Sequence, residues 1–199
     1  MPKNLKDIVF VSALRTSIGK LNGIYSKYKS HELGASVIKE TLNRTNLDPK
    51  KIDEVIMGQV LTGLTGQNPA RQSAMSANIP NDKTAYVINQ VCGSGLRSVA
   101  AAYQSILVND AKIIIAGGQE SMSNSTEEAM LKDGLIDAYN NYHMGITAEN
   151  VAEKWNISRK DQDHFAFESQ NKAQQAIKNK KFKEEIISNF PDEHPRSNV

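Results

Sequence analysis

The residue in this sequence that is best suited to carry out a chemical reaction is its single cysteine, Cys92. It lies where a predicted strand turns into the start of a predicted helix. The free backbone N–H groups and the helix dipole at such a point favour a negative charge, and therefore favour the nucleophilic thiolate. Gly93 and Gly95 beside it would let a substrate approach the backbone closely, and Ser94 adds a small polar neighbour. A lone cysteine is also commonly a small buried apolar residue, so the local context leaves both interpretations open.

Histidine is the usual base for a catalytic thiol, and none is adjacent to Cys92 in the sequence. The four histidines are His31, His143, His164 and His194. His143 stands out because it lies in a predicted loop before a helix that Thr147 opens, where polar groups can face a pocket. His31 and His164 fall in helical stretches, which favours surface or packing roles for them.

Composition excludes several other function classes. The net charge is only +2, from 24 basic and 22 acidic residues, so we expect no nucleic acid partner and no membrane surface partner. The longest apolar runs, 8–11 and 113–116, are far shorter than the ~18–20 residues that span a bilayer. One cysteine and scattered histidines predict no metal site, and the glycine spacings match neither the dinucleotide nor the phosphate-loop pattern. The single cysteine and the absence of a secretory pattern at the start favour a cytoplasmic location.

The elements that must position Cys92 follow from the hydrophobic pattern. Short apolar runs alternate with segments of helical period, which predicts β-α-β units and an α/β fold. The predicted strands cover residues 7–12, 52–57, 85–89 and 113–116. Between them we predict one helix capped by Ser30, a short one beginning at Asn68 and Pro69, and one over 96–107.

After residue 118 the pattern changes to helical segments joined by polar loops. The sequence therefore predicts an α/β domain over 1–118, which contains Cys92, and a mostly helical part over 119–199. The clearest helix there begins at Ser158, which together with Asp161 comes close to a capping box. Its predicted apolar face carries Phe165, Ser169, Ala173, Ala176 and Ile177.

Two longer motifs, NQVCGSGL at 89–96 and GGQESMS at 117–123, resemble the thiolase family, in particular acetyl-CoA acetyltransferases. The similarity extends to ALRT at 13–16, GQNPAR at 66–71, YHMGITAENVA at 142–152 and DEHPR at 192–196, and so covers nearly the whole chain. The resemblance implies a thiolase N-terminal domain, a mixed sheet flanked by helices. It also implies that the segment after residue 118 is part of the loop domain that covers coenzyme A.

The resemblance further implies a reaction for Cys92. The matching cysteine takes an acyl group as a thioester, and a second acetyl-CoA, deprotonated at its α-carbon, attacks it to form acetoacetyl-CoA. The reverse reaction is thiolytic cleavage. Coenzyme A thioesters are substrates here and no bound cofactor is implied, while His143 and Met144 are expected to line the substrate pocket.

Family members are longer than this chain, and their second half supplies a histidine, a second cysteine and an asparagine-bound water. We therefore expect the C-terminal thiolase domain to be absent and the isolated chain to be inactive. Three hypotheses stay open: one subunit of a split thiolase completed by a C-terminal thiolase chain, a truncated non-catalytic remnant, and a non-catalytic partner module. A β-ketoacyl synthase relative is a further alternative, because that group also uses a cysteine at a helix start.

A second departure from the family lies between Ser123 and Asp133. Only residues 124–132 stand in place of a longer excursion that helps related enzymes to assemble tetramers. This puts the usual tetramer in doubt and leaves a homodimer as a candidate assembly. Without a second half, we also expect an apolar surface of the sheet layer to be uncovered.

Overall fold

The computed structural model describes residues 7–187, and its centre is a three-stranded sheet. The strands are β1 (Glu54–Gly58), β2 (Thr84–Ile88) and β3 (Ile114–Gly118). They lie in the order β2-β1-β3, and Glu54 is in register with Thr84 on one side and with Ile114 on the other. Both pairings are parallel, so the α/β class is confirmed. The antiparallel strand that a mixed sheet requires is not found among the described strands.

Three helices connect and cover these strands, as the sequence predicted: α1 (Ser30–Thr45), α2 (Pro69–Ser76) and α3 (Ser94–Leu107). A short 3-10 helix, Pro49–Lys51, precedes β1. The Asn68 side chain accepts a hydrogen bond from Arg71 N, which confirms the predicted cap of α2. The predicted cap of α1 is one residue off, because Lys29 is the capping residue and its N–H donates to the Glu32 carboxylate.

The segment after β3 is helical, as predicted, and exposes most of its surface. It contains a 3-10 helix (Met122–Asn124), α4 (Glu127–Met130), a π-helical turn (Leu131–Leu135), α5 (Met144–Lys154) and α6 (Arg159–Lys178). Ser158 caps α6 and forms the expected capping box with Asp161, in which each side chain accepts a hydrogen bond from the backbone N–H of the other residue. No residue of α5 or α6 is buried, and on the predicted apolar face of α6 Phe165 is 75% exposed, whereas Ala176 and Ile177 are half-buried. The domain boundary after residue 118 stays a prediction.

The main core lies on one face of the sheet. Val55 and Met57 of β1 point to this face and pack with Ile38 and Leu42 of α1 and with Ala74 of α2. Strand side chains alternate, so the fully buried Ile56 points to the opposite face, where α3 packs on β1 and β3. Helices therefore cover both faces of the sheet, as is usual for parallel strands.

The predicted strand at 7–12 is wrong, since residues 7–14 form no strand. This segment lines a cleft of about 580 Å³ together with residues of β3, α1 and α3. Val9, Phe10 and Val11 are 70–81% exposed. An apolar run becomes a strand only where another backbone pairs with it. Along the described chain, the first backbone pairing comes after this segment, as a bridge between Arg15 and Ile186. The motif at 192–196, with His194, lies outside the described residues.

Candidate active site

Cys92 lies in the tight turn that joins the end of β2 to the start of α3, and its thiol is exposed. The turn is closed by Gly93 N–H donating to Gln90 O and by Ser94 N–H donating to Val91 O. This is the strand-to-helix position that the sequence predicted. The first residue of the 14-residue α3, Ser94, follows Cys92 by two positions.

The turn requires an unusual backbone conformation at Val91, whose φ is +48°. A β-branched residue in the left-handed region is strained, because Cβ is crowded against the backbone. Hydrogen bonds surround this residue. Asn89 Oδ1 accepts from Val91 N, while Ser94 Oγ accepts from Gln90 N and donates to Val91 O.

Glycines allow the start of α3 to sit directly on the ends of the strands. A Cβ on Gly58, the last residue of β1, would lie 2.4 Å from the carbonyl carbon of Ser94. A Cβ on Gly118, the last residue of β3, would lie 3.3 Å from Gly95 Cα. This close packing places Cys92 at the carboxyl ends of parallel strands, where α/β proteins generally bind their ligands.

A buried polar network joins the same strand ends, and the sequence analysis missed it. Gln119 Oε1 accepts from Ser73 Oγ at 2.6 Å, and Gln119 Nε2 donates to Gln59 Oε1 at 3.0 Å. Glu120 Oε2 accepts from Val60 N, while its Oε1 has no hydrogen-bond partner among the described residues. The only signal in the sequence is that Gln59 and Gln119 each follow a predicted strand. The network fixes the loop after β1 against the segment after β3.

The structure places the two expected pocket residues at the start of α5. His143 is the capping residue of this helix, and its Nδ1 accepts the Gly145 N–H at 3.0 Å. Met144 is 50% exposed. Within residues 7–187, no hydrogen bond joins the Cys92 thiol to His143 or to any other side chain. The roles of His143 and Met144 therefore stay predictions.

The other two described histidines lie in α1 and α6. Burial lowers the pKa of His31 in α1, so its ring is neutral at pH 7. His164 Nε2 lies 3.4 Å from a Glu168 carboxylate oxygen on the exposed surface of α6. Neither arrangement provides a base at the Cys92 thiol.

Among the described residues, no three His, Cys, Asp or Glu side chains converge closely enough to hold a metal ion. None of the helices in this part of the chain is both long and apolar enough to cross a membrane.

Comparison with known proteins gives a consistent result. Residues 8–195 match the family model described as thiolase, N-terminal domain. The chain is 51% identical over 195 residues to an acetyl-CoA acetyltransferase of Paracoccus denitrificans, covering 90% of this chain and 50% of the relative. It is 50% identical to an acetyl-CoA acetyltransferase of Rhizobium meliloti and 45% identical to a probable acetyl-CoA acyltransferase of Staphylococcus epidermidis, each with the same coverage. The chain thus spans about half the length of the curated relatives it matches.

Proposed function

We propose that this chain, which belongs to the thiolase family, carries the nucleophile for acyl transfer between coenzyme A thioesters. The observation that carries the proposal is the exposed Cys92 thiol at the N-terminus of α3, at the carboxyl ends of the strands. The specific reaction that we propose is that of an acetyl-CoA C-acetyltransferase, which forms or cleaves acetoacetyl-CoA. The names of the relatives support this choice of acyl group.

In the first half-reaction, the Cys92 thiolate attacks the thioester carbonyl of acetyl-CoA. A bond forms between Sγ and the acyl carbon, the bond from that carbon to the coenzyme A sulfur breaks, and coenzyme A leaves as its thiolate. In the second half-reaction, another acetyl-CoA loses a proton from its α-carbon, and the carbanion attacks the acyl group on Cys92. Acetoacetyl-CoA leaves and the Cys92 thiolate is regenerated. His143 and Met144, at the start of α5, are our candidates for residues that line the substrate pocket.

Turnover also requires a base for the thiol and for the α-carbon, and general acid–base groups contribute about 10²–10⁴-fold each. No described side chain hydrogen-bonds to Cys92, so we expect the 199-residue chain alone to acylate slowly and not to turn over. We propose that a second chain, corresponding to the C-terminal half of a thiolase, supplies these groups. A homodimer is the proposed assembly of the present chain.

Acylation can be tested on the purified chain by mass spectrometry after incubation with acetyl-CoA. Because Cys92 is the only cysteine, a thioester can form at no other residue. We expect a mass increase of one acetyl group that hydroxylamine removes, and we expect none in the Cys92→Ser variant. Equal labelling of both proteins would refute the proposed nucleophile.

Turnover is tested by cleavage of acetoacetyl-CoA with free coenzyme A. We expect none above the Cys92→Ala background from the chain alone, and cysteine-dependent cleavage when the C-terminal half of the Paracoccus denitrificans relative is added. Cysteine-dependent turnover by the chain alone would contradict our account of the missing base. A folded chain that is neither acylated nor activated by the added half would favour the non-catalytic hypotheses.

A further inference from the structure

We propose that Ser94 is a positioning residue that holds Val91 in its left-handed conformation and thereby fixes Cys92 at the N-terminus of α3. The inference rests on the proposed role of Cys92 as a nucleophile. It goes further in assigning the placement of the thiol to a specific side chain in the helix that follows. Asn89 has a supporting role on the other side of Val91.

Packing does not account for the conformation of Val91. Its side chain is 50% exposed, so little apolar burial compensates for a φ of +48°. Asparagine and glycine adopt this region readily, whereas a β-branched residue does so only when its surroundings enforce it. The enforcement must come from the hydrogen bonds of the turn.

The Ser94 hydroxyl makes two of those bonds, one on each side of Val91. It accepts from Gln90 N at 2.8 Å and donates to Val91 O at 2.6 Å. Ser94 is only 4% exposed, so water does not compete for either bond. Asn89 Oδ1 accepts from Val91 N at 2.9 Å from an exposed position. Together these bonds hold both peptide groups of Val91.

The direction of the chain at Val91 decides where the next residue lies. With φ positive, the backbone reverses and Cys92 comes to lie directly before the first turn of α3. Relaxation of Val91 to an ordinary negative φ would redirect the backbone and move Sγ from its position before α3. The thiol would then lose its exposed position in the turn, where an electrophile can reach it.

The test uses the alkylation rate of the single cysteine by iodoacetamide at pH 7, which requires neither acyl transfer nor a second chain. In Ser94→Ala we expect this rate to fall about tenfold, in line with the loss of two hydrogen bonds at a strained residue. Glycine adopts a positive φ without strain, so Val91→Gly added to Ser94→Ala should restore the rate to within about threefold of the original. This rescue separates positioning from a direct effect of the hydroxyl on the sulfur.

Two further variants distinguish a change in the position of Cys92 from a general effect on folding. Ser98→Ala removes another buried hydroxyl of α3, whose single proton is shared between Gly95 O and Gly117 O, both outside the turn at 89–94. We expect its folded form to be alkylated at the original rate. Asn89→Ala, at an exposed position, should fold and slow alkylation in the same direction as Ser94→Ala.

An unchanged rate in folded Ser94→Ala, or a double variant with Val91→Gly that stays slow, would overturn the proposal. Should Ser94→Ala fail to fold, an unchanged rate in Asn89→Ala would overturn it instead. A chain that is alkylated as predicted but never acylated by acetyl-CoA would refute the proposed function while leaving the positioning role intact.

Discussion

Replacing Gly58 by alanine should show how closely α3 must pack on the sheet to present Cys92. The new Cβ would lie 2.4 Å from the Ser94 carbonyl carbon and 2.5 Å from Gly95 N, whereas ordinary contact begins at 3.4 Å. Both neighbours are backbone atoms, so no side chain can rotate away. The start of α3 must therefore move by roughly 1 Å, and overpacking of this kind typically costs about 1–3 kcal/mol.

Gly63 provides a matched control in the loop that follows the same strand. A Cβ on Gly63 would meet no atom within 4 Å, and neither glycine has a positive φ. Alanine reduces the conformational entropy of the unfolded chain at both positions, which stabilises by about 0.4–1 kcal/mol where the native site tolerates it. Gly63→Ala should therefore be neutral or slightly stabilising, and the difference between the two variants isolates the steric effect.

The assay is urea unfolding followed by far-ultraviolet circular dichroism, supported by the melting temperature. For a chain of this size, 1 kcal/mol corresponds to about 2–4 °C, so Gly58→Ala should melt a few degrees to about ten degrees below Gly63→Ala. Cys92 alkylation should change only in Gly58→Ala, because only that variant displaces the turn. Equal stability and equal alkylation in the two variants would refute the close packing of α3 on β1.

Three further predictions concern stability. The Asp53 carboxylate accepts hydrogen bonds from Ile113 N and Lys112 N, and these bonds lower its pKa. The ionised carboxylate therefore stabilises the folded state at neutral pH, and this stabilisation is lost as the pH falls below about 4. Urea unfolding of Asp53→Asn should accordingly vary less with pH in that range, and an undiminished dependence would contradict this. Gln119→Leu leaves the buried Gln59 Oε1 without its donor, while Ser73 Oγ can still donate to Pro69 O, and should cost about 1–3 kcal/mol in the same assay; a neutral effect would exclude a stabilising network. Glu185→Gln breaks the half-exposed ion pair with Arg15 and should cost less than about 1 kcal/mol; a larger loss would mean that the pair is more than a surface contact.

The sequence predicted those elements that local patterns determine. β1, β2 and β3 and the helices α1 to α3 all formed, with ends shifted by a residue or two, because their apolar periodicity and caps lie within the segments themselves. The segment at 7–12 has the same apolar character, yet it forms no strand. A strand depends on a neighbouring backbone that may be far away in the sequence, and local pattern alone does not show whether that neighbour is present.

For the candidate site, the sequence predicted the turn that carries Cys92 but not the contacts that shape it. Glycine and serine beside a cysteine after a strand are a local signal. The packing of Gly58 against Ser94 and the network of Gln59 with Gln119 join positions that are distant in the sequence. The left-handed conformation of Val91 was also unexpected, because valine is among the residues least suited to it.

These features separate the placement of the proposed nucleophile from the transfer of protons. Cys92 is positioned by backbone packing and by hydrogen bonds from Asn89 and Ser94, all within the described residues, whereas no side chain there contacts the thiol as a base. An acyl group on Cys92 should therefore persist in the isolated chain, because its removal requires a carbanion or an activated thiol that a base must generate. Adding the C-terminal half of a relative together with coenzyme A should shorten the lifetime of the acyl-cysteine. Rapid loss of the acyl group from the chain alone would show that a proton acceptor for this step lies within the 199 residues.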